Sequence, residues 1–251
     1  LMPYQRHDED LLISLDIPNP SIPHNQIYKI SPNHTYVVCK EIVEKLKVEE
    51  SKKTYDENNP FLLYVHAYSL YLMGNNCFSA EEKQFLYNQC DTKTRQAISL
   101  VEISEDAKHA IIKVKLHYLL ARSLLQNTIN FKIEQTGNVN NLALNTTDIS
   151  DKFFQEVCVT MDKAQQLLDK CSKMYSNKKD ANYKEALGLT GVMHFHFGKI
   201  LTEWSTFRRQ RWEPLCDKAK ACFEQCLVWI EQNEIRTSNL SVMCLEELGT
   251  L

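Results

Sequence analysis

Apolar residues recur every three or four positions through most of the chain, and short polar runs separate the periodic stretches. Val38, Ile42, Val43 and Leu46 show the pattern that is typical of one buried helix face. No stretch shows a strand signal. The pattern therefore predicts helix after helix, over about 36–49, 60–74, 79–90, 92–102, 105–126, 149–176, 181–205, 214–233 and 238–249.

Several predicted boundaries coincide with residues that favour helix ends. Ser79 and Glu82 have the spacing of a capping box, in which each side chain bonds the backbone N–H of the other residue. Pro60 and Pro214 each stand at the first turn of a predicted helix, where a missing N–H costs little. Because the linkers between successive helices are short, we expect neighbouring helices to form antiparallel hairpins.

Glycine and proline are scarce and unevenly placed. The 251 residues include 6 Gly and 7 Pro, and five of the prolines fall in the first 32 residues. This distribution argues against sandwiches, barrels and propellers, which need frequent tight turns. It predicts an extended N-terminal arm over 1–35 and an all-helical domain over 36–251, with an irregular, asparagine-rich insert at about 127–147. We also expect the chain to be part of a longer one.

A weak repeat runs through the predicted helices. Two helices share the run Asp-Lys-Ala, with an apolar residue four positions after the alanine and a cysteine three positions further on. The helices that precede them each carry a small residue that is followed one turn later by bulky residues. A small residue lets a paired helix approach closely, and bulky neighbours fill the seam. The repeated positions are Ala164, Leu168 and Cys171; Ala219, Phe223 and Cys226; Ala67, Leu70 and Tyr71; Ala121, Leu124 and Leu125; and Gly191, His194 and Phe195.

At these residues the chain resembles the tetratricopeptide repeat (TPR) family. In that family a small residue lies in the middle of helix A, and an Ala-x3-Phe-x2-Ala pattern marks helix B. Here Cys171 and Cys226 replace the last alanine, and Ala164 and Ala219 lie 55 residues apart, whereas the family period is about 34 residues. The resemblance, which covers about 60–248, therefore implies a divergent, TPR-like superhelical array with long helices and inserted loops.

The resemblance implies a function in protein binding. Stacked hairpins bury one continuous core and present an extended concave face to a partner. We therefore expect a scaffold or adaptor within a multiprotein complex. One alternative is a FAT-like helical regulatory region of a large kinase, and a second is a helical bundle with a small-molecule or catalytic role.

The candidate binding residues lie in the run WSTFRRQRW, where three of the seven arginines fall within four residues. Arginine grips carboxylates and phosphates with a planar fork, and tryptophan and arginine are enriched at interfaces. An acidic or phosphorylated partner segment is the expected ligand, and a helix corner with a buried tryptophan and solvated arginines is the alternative. The predicted site comprises Trp204, Phe207, Arg208, Arg209, Arg211 and Trp212.

The net charge and the cysteine content limit the classes of partner and the cellular compartment that we expect. A net charge of −3 gives no field that would attract nucleic acid or an anionic membrane. The longest apolar stretch is 61–73, whereas a helix needs about 20 residues to span a bilayer. The nine cysteines are odd in number and mostly follow helical patterns, which favours a reduced cytoplasmic or nuclear protein.

The sequence predicts no enzyme, cofactor or metal. It lacks the nucleophile elbow, the P-loop and the zinc-binding His-Glu-x-x-His motif. His194 and His196 are two residues apart and so point to different sides of a helix, while Cys222 and Cys226 share a face that we expect to be buried.

Overall fold

The computed structural model describes residues 32–51, 58–102, 109–136, 146–175, 181–207, 213–233 and 239–251. Within these ranges the chain is helical and contains no strand, which confirms the predicted all-α class. The described helices are α1 (Pro32–Ser51), α2 (Pro60–Asn76), α3 (Ala80–Glu102), α4 (Ala110–Thr136), α5 (Thr146–Met174), α6 (Ala181–Phe207), α7 (Glu213–Gln232) and α8 (Asn239–Thr250).

The helix start at Pro60 forms as predicted, and the capping box of Ser79 and Glu82 forms in one direction only, because the Glu82 carboxylate accepts from Tyr36 and Cys77 instead. The Asn59 side chain accepts hydrogen bonds from the backbone N–H groups of Phe61 and Leu62 ahead of α2, with Pro60 in its first turn. At the start of α3, the backbone N–H of Glu82 donates to Ser79 Oγ at 3.3 Å. These bonds satisfy N–H groups that a helix start would otherwise leave unpaired.

The boundary between the arm and the helical domain was predicted too late in the chain. Helix α1 begins at Pro32, whereas the extended arm was expected to reach residue 35. The reason is that a proline at the first helical position is tolerated, so Pro32 marks a helix start rather than extended chain. The rest of the predicted arm, residues 1–31, lies outside the described residues.

The separate helices predicted over 79–90 and 92–102 are one helix, α3. No breaker residue divides them, and the hydroxyls of Thr92 and Thr94 donate back to the carbonyls of Asn88 and Cys90. Such bonds place threonine inside a helix without ending it.

The prediction of an irregular segment at 127–147 was wrong at both ends, because α4 continues to Thr136 and α5 begins at Thr146. The Asn127 side chain donates to Asp91 Oδ2 at 2.9 Å and accepts from Gln84 Nε2 at 3.0 Å. These contacts with α3 outweigh the low helix propensity of asparagine. Residues 137–145 lie outside the described part of the chain.

Successive helices form antiparallel hairpins, as predicted. In the hairpin of α6 and α7, Gly191 lies against Trp229, Gly198 lies against Phe223, and Ser205 contacts Cys216. The partner numbers fall as the α6 numbers rise, which defines an antiparallel pair. The three hairpins are α2 with α3, α4 with α5, and α6 with α7.

The hairpins stack so that alternate helices form two layers. Helices α2, α4, α6 and α8 contact one another in turn and form layer 1, and α1, α3, α5 and α7 form layer 2. In layer 2, Arg95 pairs with Glu156 and Glu102 pairs with Lys163. In both pairs the α5 residue follows its α3 partner by 61 positions. Because the partner number rises with the α3 number, α3 and α5 run parallel. This is the stacked arrangement of a helical array.

The repeated sequence positions form the core between the layers. Ala164, Leu168 and Cys171 on α5 are buried, as are Ala219, Phe223 and Cys226 on α7, and Ala67 and Ala121 on layer 1 are fully buried. Every described side chain of α4 up to Ile129 is at least partly buried. Helix α4 is therefore the most enclosed element of the stack.

We predict that Gly198→Ala lowers the free energy of unfolding by about 1–3 kcal/mol, because a Cβ at this position would lie 2.5 Å from Cε1 of Phe223 and force the core apart. The matched control is Gly249→Ala, whose Cβ would meet nothing within 4 Å, and which should be neutral or stabilising by up to about 1 kcal/mol. Urea unfolding checks both values, and equal midpoints for the two variants would contradict the close packing of α6 on α7.

A second prediction concerns pH. Burial, together with a smaller effect of the Lys93 charge, lowers the pKa of His66 to about 4. An unfolded histidine takes up its proton near pH 6.5, so His66 makes the fold less stable as pH falls from about 6.5 to about 4. We expect His66→Leu to reduce this loss in thermal melts at pH 7 and pH 5, with the same substitution at the exposed His34 as the control. If the melting temperature of His66→Leu falls between pH 7 and pH 5 as much as that of the unchanged chain, His66 does not cause the loss of stability.

Candidate partner-binding site

Trp204 lies in the core near the end of α6. The residue is 8% exposed, and its ring stacks on Phe154 of α5, with the ring centroids 5.9 Å apart and the planes 2° from parallel. Its indole Nε1 donates to Asp151 Oδ1 at 2.7 Å. Trp204 therefore fixes the end of α6 on the first turns of α5, and little of its ring is left for a partner to contact.

The structure describes Trp204 fully but not the remainder of the predicted site. Phe207 is the last residue of α6, and nothing is described of its side chain. The other predicted residues lie outside the described ranges: Arg208, Arg209, Arg211 and Trp212. Docking by these arginines thus stays a prediction.

The structure reveals a second candidate that the sequence analysis missed, a tyrosine–cation cluster across α2, α4 and α6. Arg122 is 6% exposed, and its guanidinium carbon lies 5.0 Å from the ring centre of Tyr71 and 5.7 Å from that of Tyr118. A cation over an aromatic face is attracted by the negative ring surface. The cluster consists of Tyr64, Tyr71, Lys115, Tyr118, Arg122 and His196.

Lys115 marks the more accessible end of this cluster. Its ammonium lies 5.6 Å from the ring centre of Tyr64 and forms an ion pair with Glu185 of α6, and its side chain is 26% exposed. The Tyr64 ring in turn stacks on Tyr68, one turn further along α2. A positive charge edged by tyrosines is suited to binding a carboxylate or phosphate, since both ammonium and phenol groups donate hydrogen bonds.

The buried end of the cluster links layer 1 from helix to helix. A hydrogen bond joins the Tyr118 hydroxyl to Nδ1 of His196, and His196 is 4% exposed. The spacing of Lys115, Tyr118 and Arg122 places all three on one face of α4, and that stripe is visible in the sequence. Its pairing with tyrosines of α2 is a tertiary feature, which is why the sequence did not reveal the cluster.

A third polar region lies in the seam between α3 and α4, around Asp91. Burial raises the pKa of Asp91 to about 6, although hydrogen bonds from Ser123 and Asn127 act in the opposite direction. The charges of Arg95 and Glu156 also act on this carboxyl group. The seam therefore holds a carboxyl group with a raised pKa, inside a helix interface rather than in a cleft.

The described residues contain no group of three or more histidine, cysteine, aspartate or glutamate side chains that could hold a metal ion. None of the described helices is both long and apolar enough to cross a membrane. Comparisons with models of protein families, with curated proteins and with solved structures found no match to this chain.

We predict that Trp204→Phe lowers the free energy of unfolding by about 1–2 kcal/mol, because the stacking on Phe154 is kept while a hydrogen bond to a carboxylate is lost. Asp151→Ala removes the same bond from the other side, so the double variant should cost less than the sum of the two single changes. If the double variant loses as much free energy of unfolding as the two single variants together, the hydrogen bond between Trp204 and Asp151 does not anchor the end of α6.

Proposed function

We propose that this chain is a non-enzymatic scaffold or adaptor, TPR-like in type, that binds another protein within a multiprotein complex. The observation that carries the proposal is the stack of three hairpins in two layers, in which α2, α4, α6 and α8 contact one another in turn. A layer of this kind provides one surface that crosses several helices, which suits an extended partner segment better than a small molecule.

The chemistry of layer 1 supports a polypeptide ligand. Tyr64, Tyr68 and Lys115 are partly exposed on neighbouring helices, and tyrosine is enriched at protein interfaces. Lys115 lies at this surface with its charge paired to Glu185, so an acidic group would compete with Glu185 for the ammonium. These features favour an acidic or phosphorylated partner segment.

The arginines that follow α6 would contribute to the same recognition. Arg208, Arg209 and Arg211 come within a few residues of Trp204, whose hydrogen bond to Asp151 anchors the helix end. In this proposal Phe207 and Trp212 supply apolar contacts beside the arginine forks, and Trp204 holds the start of the segment in place. Phosphate and carboxylate groups are the ligands that arginine forks bind best.

A reduced compartment, cytoplasmic or nuclear, fits the state of the cysteines. All nine are free thiols, and Cys39, Cys77, Cys90, Cys171, Cys226 and Cys244 are buried. Buried thiols act as small apolar core residues, and persistent free thiols are typical of reducing compartments.

The experiment is affinity capture of partners from cell extract, read by mass spectrometry, with the intact chain and a variant in which Arg208, Arg209 and Arg211 are all changed to Glu. We expect the variant to remain folded but to lose partners that the intact chain retains. The matched control carries the same charge change at the exposed residues Lys45, Lys170 and Lys184. Equal capture by all three chains would contradict docking by the arginines.

A further inference from the structure

Two valines are exposed along one face of α1, the first helix of the described stack. Val37 is 51% exposed and Val48 is 47% exposed. Eleven positions separate them, which is about three helical turns, so both lie on the same side of α1. Cys39 and Val43, which lie elsewhere around the helix, are buried in a core cluster with α2 and α3 residues. The exposed side, called here the valine face, is thus an apolar surface on a terminal helix, where a stack needs a polar surface or a cover.

The valine face borders a shallow groove with an excess of negative charge. The groove has a volume of about 280 Å³, and its described lining consists of Glu41, Glu44, Lys45, Val48 and Glu49. Three carboxylates stand against one ammonium in this lining. A segment that covers the valine face should therefore bring apolar side chains together with hydrogen-bond donors or positive charge, and it should lack carboxylates.

The residues that directly precede α1 have this chemistry. The run IPNPSIPHNQIYKIS, residues 17–31, contains four isoleucines, the cation Lys29 and no acidic residue. Pro20 and Pro23 restrict the backbone to extended conformations, so the segment loses less entropy when it docks. The peptide bond to Pro32 also keeps the segment beside α1, at a local concentration that a separate molecule would not reach.

The spacing of the isoleucines matches the spacing of the valines. Ile22 and Ile27 are five positions apart, which in an extended chain is about 15 Å. Val37 and Val48 are eleven positions apart, which along a helix is about 16 Å. Two or three residues suffice for a turn ahead of Pro32, and the remaining two or three then place Ile27 at the level of Val37.

We propose that residues 22–31 turn back and lie antiparallel to α1 along the valine face, with Ile27 packed on Val37 and Ile22 packed on Val48. The histidine, asparagine and glutamine between the two isoleucines then face the carboxylates of the groove and supply hydrogen-bond donors. The chain thereby covers its own terminal helix. This contact lies outside the tyrosine–cation cluster and does not depend on the scaffold function.

Photo-cross-linking in the intact chain tests the contact directly. The cross-linker p-benzoylphenylalanine replaces Ile22 in one preparation and Ile27 in another, and mass spectrometry maps the linked residues after irradiation. A mixture of ¹⁴N- and ¹⁵N-labelled chains separates links within one chain from links between two copies. We expect links within one chain, from position 27 to the turn around Val37 and from position 22 to the turn around Val48. The absence of links to α1, or links that join two copies, would overturn the proposal.

Tryptic cleavage after Lys29 measures how often the segment leaves α1, because cleavage follows the population of the undocked form. In a chain with both Val37→Gln and Val48→Gln, we expect this cleavage to be about three- to thirtyfold faster, since the apolar contacts are lost. The matched control is Val159→Gln on α5, where Val159 is 67% exposed, and cleavage after Arg6 serves as the internal reference. If cleavage after Lys29 is no faster in the double variant than in the control, the segment does not dock on the valine face.

Discussion

In two of the three hairpins, α2 with α3 and α6 with α7, the structure depends on how closely the two helices approach at glycine. A Cβ on Gly74 would lie 2.6 Å from Tyr87, one on Gly198 would lie 2.5 Å from Phe223, and Gly191 lies against Trp229 in the same way. Each contact places a bulky aromatic ring of the second helix against bare backbone of the first. Since packed interiors have few voids, these positions determine where the hairpin helices cross and so where the next hairpin can stack.

Stacking then determines the environment of the polar residues. Five ion pairs between different helices each join a helix to the next but one: Glu50 with Lys93, Arg95 with Glu156, Glu102 with Lys163, Lys115 with Glu185, and Lys199 with Glu247. The exposed pairs, Arg95 with Glu156 and Glu102 with Lys163, contribute little free energy, whereas Lys199 and Glu247 are mostly buried and less screened by solvent. All five pairs follow from the parallel order within each layer, and the same order brings Tyr71, Tyr118, Arg122 and His196 together from three helices.

The fold class could be predicted from the sequence because its determinants are local. Helical periodicity, scarce glycine and the helix-start residues Pro60 and Ser79 depend on residues within one or two turns of each other. The errors arose where tertiary contacts act instead, as at Asn127, whose bonds to α3 extend α4 into a segment that composition alone suggested was irregular. Trp204 shows the same limit, because its enrichment at interfaces was visible but its bond to Asp151 was not.

Zero-length carbodiimide cross-linking of lysine to carboxylate, read by mass spectrometry, tests the stacked order most directly. The account predicts cross-links between Lys93 and Glu50, Lys163 and Glu102, Lys115 and Glu185, and Lys199 and Glu247, which join helices of the same layer in order. Cross-links that instead connect α1 with α5 or α3 with α7 would contradict a linear stack of hairpins, and the proposed binding surfaces would have to be abandoned with it.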